Sequence, residues 1–314
     1  MSAEERASRV PAGKPPSSAL RPLDYALLLF LGAIWGSAFP VIRVGLVHGA
    51  APFFFAGVRC LLGAVGIALM AWATREAVPS SRSLRVSAVL GAALTIGGYF
   101  VFLYVGEEAV PGGLASIVVA TNPLWSAMFA LPLLPSERLG KFGALGIFAG
   151  FVGVLVIFLP DLGGSSRVPL LPLLEVLAAP ALFALGSVLL RHFEPGPQGF
   201  WGISTQLGAG GAAMTAGAFL VPAGTALPLT ADVLLPLVYL VLVPTCIGYV
   251  VYFRLHHQVG PTRANLVSFI SPISGLLVGL AVSEGAPSLL EVGGLALVAL
   301  GLFLVGRRKS TTRP

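Results

Sequence analysis

Gly112–Ile157 reads "GGLASIVVATNPLWSAMFALPLLPSERLGKFGALGIFAGFVGVLVI". Two apolar runs of about 20 residues lie on either side of the polar link "PSERLGK" at 135–141. At 1.5 Å per residue, a helix of that length crosses ~30 Å of hydrocarbon. Lipid offers no partners for backbone polar groups, so each run must be a helix or part of a closed barrel. Barrel strands alternate apolar and polar residues and run only ~10 residues, and neither holds here. The stretch therefore reads as a helical hairpin in a membrane. One part of it resists that reading: Thr121-Asn122-Pro123 sits inside the first apolar run, where asparagine is costly and proline removes a backbone donor.

The same pattern extends over the whole chain. Of 314 residues, 56% are hydrophobic and 10% charged, against about 25% charged in a soluble domain. A water-facing surface cannot be built from this composition. Breaks at Pro, Gly and charged residues give ten spans, at 24–43, 52–73, 85–105, 112–134, 139–159, 172–191, 198–220, 231–253, 262–283 and 288–306. The expected fold class is an all-α integral membrane protein. Residues 1–23 read as a disordered polar tail, with no cleaved leader before the first span, and 307–314 as a basic tail. Cys60 and Cys246 fall within spans and read as buried thiols.

With an even number of spans both termini share one side. Of the 19 Lys and Arg residues, all but Arg43, Arg59 and Arg167 then fall on that side. Glu107, Glu108, Asp161, Asp232, Glu284 and Glu291 fall on the other. Basic loops are cytoplasmic, so both termini are expected there. Topology accounts for the net charge of +6 without any nucleic-acid partner.

The chain is written twice. Trp35–Arg43, "WGSAFPVIR", aligns with Phe183–Arg191, "FALGSVLLR", about 148 positions on. Gly112–Ser116 and the run to Asn122-Pro123 align with Pro261–Asn265 and the run to Ser271-Pro272. Ser136-Glu137 and Gly146 align with Ser283-Glu284 and Gly293 at nearly the same offset. The order and spacing predict two five-helix units, 24–160 and 170–306. An odd number of helices per unit makes the second cross the membrane in the opposite sense. Inverted-topology repeats of this kind occur in many secondary transporters, with the site near mid-membrane between the copies.

"WGSAFPVIRVGL" at 35–46, "FAGVRCLLG" at 55–63, the opening stretch and its counterpart "GPTRANLVSFISPISGLLVGLAVSEGAPSLLEVGGLALVALGLFLVG" at 260–306 resemble the EamA-type branch of the drug/metabolite transporter (DMT) superfamily. The resemblance covers both halves, roughly 24–306. It implies ten helices, cytoplasmic termini, a cavity lined by spans 1, 3, 4, 6, 8 and 9, and export of amino acids or other small metabolites from a bacterium. The second copy departs from the first where Phe183 stands for Trp35 and Gln206 for Arg59.

Candidate cavity residues are Trp35, Ser37, Tyr99, Phe102, Asn122, Phe183, Ser187, Tyr249, Tyr252 and Ser271. Aromatic walls with a few placed polar groups suit a small-solute pocket. Asn122 carries two readings, a helix–helix hydrogen bond at a kink or a contact to solute. Pro123 and Pro272 are expected as paired helix breaks, and breaks at matching positions of two halves point to a transporter site. Ionisable residues within spans default to functional hypotheses. Arg59 reads either as a coupling group or as a side chain that snorkels or caps carbonyls between helices, and Glu175 as a proton carrier, a partner for a substrate amine, or an exposed helix end. Gly146, Gly150 and Gly153, following Gly143, form a small-residue stripe expected to pack on span 10 at Gly293, Gly294 and Gly301. His256-His257 reads as interfacial.

The sequence carries no nucleotide-binding loop, HExxH motif or argued catalytic set, so no enzyme activity, metal or cofactor is expected. The expected function is a secondary transporter that exports small metabolites by alternating access across the bacterial inner membrane, as a monomer or homodimer. The rivals are a non-transporting membrane scaffold or accessory subunit, and a lipid flippase. With no buried carboxylate pair legible, strong proton coupling is not expected; passive facilitation and weak antiport both stay open.

Overall fold

The structure, a computed structural model, describes residues 22–133, 141–162, 168–194, 199–259, 267–282 and 284–306. The two tails, the Ser136-Glu137 link and the His256-His257 side chains lie outside the described residues. Among those described, all regular structure is helical. Helices α1 (Pro22–Val47) and α2 (Pro52–Ala73) come first. A third apolar segment consists of α3 (Ser81–Leu90), a wide-turned π segment (Gly91–Thr95) and α4 (Gly97–Gly106). A fourth is split into α5 (Gly112–Val119) and α6 (Asn122–Leu133). Then follow α7 (Lys141–Leu162), α8 (Leu170–Phe193) and α9 (Phe200–Ala218). Next are α10 (Ala231–Leu240), a second π segment (Val241–Ile247) and α11 (Gly248–Val259). The last are α12 (Val267–Ala281) and α13 (Leu289–Gly306).

Among the described residues six helical segments are long and apolar enough to cross a membrane: Pro22–Val47, Pro52–Ala73, Ser81–Gly106, Gly112–Leu133, Leu170–Phe193 and Ala231–Tyr252. Lys141–Ile157, Ile270–Ala281 and Leu289–Gly301 are shorter apolar helices. Helix α9 is diluted by Gly, Ser, Thr and Gln.

Local chemistry sets the ends. Helix α1 stops where Gly49 takes φ +92°. Its N–H bonds Leu46 O at 3.0 Å and the next N–H bonds Gly45 O at 3.2 Å, a Schellman arrangement that needs the left-handed conformation glycine adopts freely. Helix α2 opens on Pro52, whose missing N–H costs nothing in a first turn. Ser80 caps α3, accepting from Ser83 N at 3.2 Å.

The helices pack in pairs: α2 with α9, α7 with α13, α1 with α12, and α4 and α6 with α8. Lipid tails are as apolar as leucine, so close backbone approach and dispersion, not the hydrophobic effect, hold such pairs. Small residues supply that approach. A Cβ on Gly301 would stand 2.5 Å from Gly146 O, and one on Gly153 2.7 Å from Gly294 O. A Cβ on Gly150 would run into Leu124 of α6. Gly293 differs from its expected role, since a Cβ there meets nothing within 4 Å. Along α1, a Cβ on Gly32 would stand 2.5 Å from Ile270 and one on Gly36 would meet Ser271 O, both in α12. Leu31, Phe55, Ile67, Ile117, Leu124 and Leu240 are fully buried.

The two prolines expected as paired breaks behave differently. Helix assignment lapses at 120–121, just before Asn122-Pro123. There Thr121 turns its hydroxyl onto Val118 O at 2.7 Å. Helix α12 instead runs on through Pro272. The Ser274 hydroxyl lies nearest Gly32 O of α1, at 2.8 Å, and within reach of Ile270 O and Ser271 O at 3.1 and 3.0 Å.

Candidate functional site

The paired irregularities of this fold are the two π segments. Each widens a helix so that its amides bond five residues back; Ile96 N reaches Gly91 O at 3.1 Å. They fall about 150 residues apart in sequence, one in each half. Each is tied down by a polar side-chain contact. Thr95 donates to Gln206 Oε1 of α9 at 2.7 Å. Pro244 O accepts from Trp35 Nε1 of α1 at 3.0 Å. π bulges within α-helices frequently mark functional sites. Sequence reading missed both, because Gly-Ala-Ala-Leu-Thr carries no breaker and Pro244 alone reads as an ordinary kink.

Around these segments the aromatic residues gather. Trp35 packs against Tyr252 and Tyr249 with ring centroids 5.5 and 6.3 Å apart. Gly248 leaves room for the indole, since a Cβ there would stand 2.6 Å from its Nε1. Tyr99 packs edge-on against Phe183 at 5.5 Å and against Phe100 at 4.8 Å. Trp35, Tyr99, Phe183, Tyr249 and Tyr252 are all only partly buried, although they sit well inside their helices. Ser37 donates to Ile34 O at 3.0 Å and lies 2.6 Å from the Tyr239 hydroxyl, which makes Tyr239 the donor to Ser37. Tyr239 was not singled out by sequence; its contact comes from α10 leaning on α1.

The remaining candidates spread out. Asn122 is half-buried, and its Oδ1 is 3.4 Å from Ser126 Oγ, a long and weak bond. Ser187 and Ser271 are partly buried. Phe102 is 39% exposed, outside the aromatic group. Arg59 is buried, with Nη1 donating to the Tyr104 hydroxyl at 3.0 Å and its guanidinium 4.9 Å from the centre of the Phe100 ring. That cradle of aromatic faces fixes Arg59 between α2 and α4. Glu175 is half-buried and lies close enough to Glu108 to raise that carboxyl's pKa, after burial and against Arg43.

A second polar assembly lies at the base-poor end. Arg43 of α1 donates to the backbone carbonyls of Glu107 and Glu108. Glu284 accepts from Gly112 N and Gly113 N, both at 2.8 Å, and so caps α5 across the molecule. Gly112 seats against Phe39 and Pro40, where a Cβ would collide with backbone. Glu107 is fully buried, and among the described residues neither carboxylate oxygen has a hydrogen-bond partner. Burial first, then the nearby Glu284, push its pKa well above the usual carboxylate range, against the pull of Arg43 and Arg59. The sequence reading did not single out Glu107, a lone buried carboxyl with the partly exposed Glu284 near enough to add a like charge. Sequence placed both in loops, and only the packing of helix ends buries one of them. A matching cap lies elsewhere. Glu76 accepts from Phe200 N at 2.9 Å and Trp201 N at 3.2 Å, holding the start of α9.

Helices throughout the described residues, with six segments long and apolar enough to cross a membrane, define the class of polytopic helical membrane proteins. The chain belongs to the EamA-like transporter family, whose model matches residues 23–159 and again 170–307, within the drug/metabolite transporter superfamily. Its family is one of transporters, not enzymes. It is 31% identical to the "Uncharacterized inner membrane transporter YedA" of Escherichia coli K12, over 90% of each chain. It is 27% identical to a "Probable amino-acid metabolite efflux pump" of Salmonella typhimurium, over 90% of this chain and 94% of the other. It is 32% identical to a "Probable terminal-alkyne amino-acid exporter" of Streptantibioticus cattleyicolor, over 90% and 93%. One solved crystal structure shares the fold with a TM-score of 0.60 at 20% identity, covering 91% of this chain and 96% of that one.

Proposed function

We propose that the protein exports small amphipathic metabolites, amino acids or close relatives first among them, across the bacterial inner membrane by alternating access. Its ten helices form two inverted five-helix repeats with both termini in the cytoplasm. The observation that carries this reading is the pair of π segments, Gly91–Thr95 and Val241–Ile247, at matching positions along one helical segment of each half, each beside the aromatic residues. Two further symmetric relations support it. Helix α1 packs on α12 as α8 packs on α6, and Phe200 N bonds Glu76 as Ala51 N bonds Ala226 O at 2.7 Å. Exchanging the conformations of two such halves would move an opening from one face of the membrane to the other. Relatives named for amino-acid export support the substrate class.

Trp35, Tyr99, Phe183, Tyr249 and Tyr252 would supply the walls of the pocket, and Asn122, Ser187 and Ser271 its sparse polar contacts. Few charges and many rings suit a zwitterion with an apolar side chain. The test is efflux of labelled amino acids from liposomes holding the purified protein. Flux that falls at least tenfold in a Tyr249→Ala, Tyr99→Ala double variant is the expected result. Flux no greater than from empty vesicles across a broad amino-acid panel would sink the reading.

A further inference from the structure

We propose that Glu107 is a proton-binding site at the base-poor end, and that the closed arrangement of this end requires Glu107 to carry its proton. The inference rests on the transport reading only for its meaning in the cycle; the proton site itself stands on the geometry below.

Glu107 follows directly on α4, at 0% exposure. Three elements close over it. Arg43 straps α1 to the Glu107 and Glu108 carbonyls, Glu284 clamps the chain before α13 to the start of α5, and Gly112 lets α5 sit against Phe39 and Pro40. Val110, between the strap and the clamp, is also fully buried.

The charged groups facing Glu107 come from each packed element: Arg43 on α1, Arg59 on α2, and Glu284 before α13. Tyr104 stands on its own helix, and Glu108 beside it faces Glu175 of α8. Neither cation satisfies the carboxylate. Arg43 donates to backbone carbonyls and Arg59 Nη1 donates to Tyr104, while among the described residues both Glu107 oxygens stay unpartnered. An ionised carboxylate in such a place is strongly disfavoured, and protonation is the cheaper solution. Glu284 adds a like charge on the same side. Opening this end would break the strap and the clamp, admit water to Glu107 and favour its ionised form. Proton uptake at one face of the membrane would then accompany closure at that face.

Infrared difference spectroscopy on the full chain in lipid, wild type minus E107Q, tests the site directly. The expected result is a protonated-carboxyl stretch at neutral pH that disappears in E107Q. Thermal unfolding from about pH 5 to about pH 9, a range above the ordinary carboxylate value of about 4.3, gives the second readout. The folded-state value lies above the unfolded one, so the stability Glu107 contributes is lost as pH rises through the raised value. The wild type should lose thermal stability across that range and E107Q should show a flatter profile. Should E107Q fail to fold, E107M, which removes the charge at similar volume, takes its place in both measurements. A wild type without that band, together with equal pH slopes in wild type and variant, would overturn the proposal. A band and slope as expected with no amino-acid efflux would leave the proton site standing and remove the export reading instead.

Discussion

Trp35 shows how one side chain can hold an irregular backbone. Its indole N–H reaches the Pro244 carbonyl inside the second π segment while its ring lies against Tyr252. Trp35→Phe keeps most of the ring and removes the donor. The expected cost is about 1 kcal/mol of stability, read as a lower unfolding temperature in detergent, together with slower efflux. Glu284 is a second case. Glu284→Gln leaves one oxygen for the two amides of Gly112 and Gly113, so one loses its acceptor and the helix terminus loses a favourable negative charge. The expected loss is about 1 kcal/mol, measured by thermal unfolding, with Glu284→Asp recovering little because its shorter arm does not span the two N–H groups. At this scale the sequence was a partial guide. Trp35, Tyr249 and Tyr252 were legible as aromatic residues set deep in apolar runs. Glu107 was not, because burial just past a helix end depends on what packs over it from α1 and α5, more than 60 residues away in α1.

Among elements, the α7–α13 pair is the most regular. Gly146, Gly150 and Gly153 on one side and Gly294 and Gly301 on the other let the backbones touch. Gly301→Leu would force a branched side chain against Gly146 O, at an expected cost of about 1–3 kcal/mol. The prediction is specific: yield and unfolding temperature fall, while efflux per folded molecule is unchanged, because α7 and α13 stand apart from the aromatic centre. A fall in specific efflux equal to that of the Tyr99 and Tyr249 variants would place these helices in the moving part instead. The glycine stripe was readable because its spacing of three and four follows the helix period. The π segments were not readable. A widened turn leaves no compositional trace when its residues are Gly, Ala and Leu, and it becomes visible only through the contacts that fix it, Gln206 for one and Trp35 for the other. The two prolines differ. Pro272 is absorbed into α12, whereas the lapse in the fourth segment falls before Pro123, where the Thr121 hydroxyl can serve its own chain.

For the whole molecule, apolar run lengths and the doubled pattern were enough to define a helical membrane protein and to suggest its family. The burial of Glu107 and Val110 at the base-poor end came only from the structure. Val110 offers a reporter for that end. With Cys60 and Cys246 replaced, Val110→Cys should react slowly with a membrane-impermeant maleimide at low pH. It should react faster as pH rises through the raised Glu107 value, because the proton that favours the closed end is then lost. In an E107Q background the rate should no longer depend on pH beyond the thiol chemistry itself, which a fully exposed cysteine such as Leu229→Cys (Leu229 is 81% exposed) provides as reference. Equal pH dependence at the two cysteines would break the link between Glu107 and closure.

The Glu284 clamp also bears on the order in which the chain is made. The amides at the start of α5 find their acceptor 172 residues later. At about 5–20 residues per second, translation reaches Glu284 on the order of ten seconds or more after Gly112. For that interval α5 is in the membrane without its cap, and water, a lipid headgroup or the insertion machinery must stand in for the carboxylate. Glu76 has the mirror position, already synthesised when α9 arrives. The first half of the chain thus waits for the second to complete it, while the second half begins on an acceptor already in place.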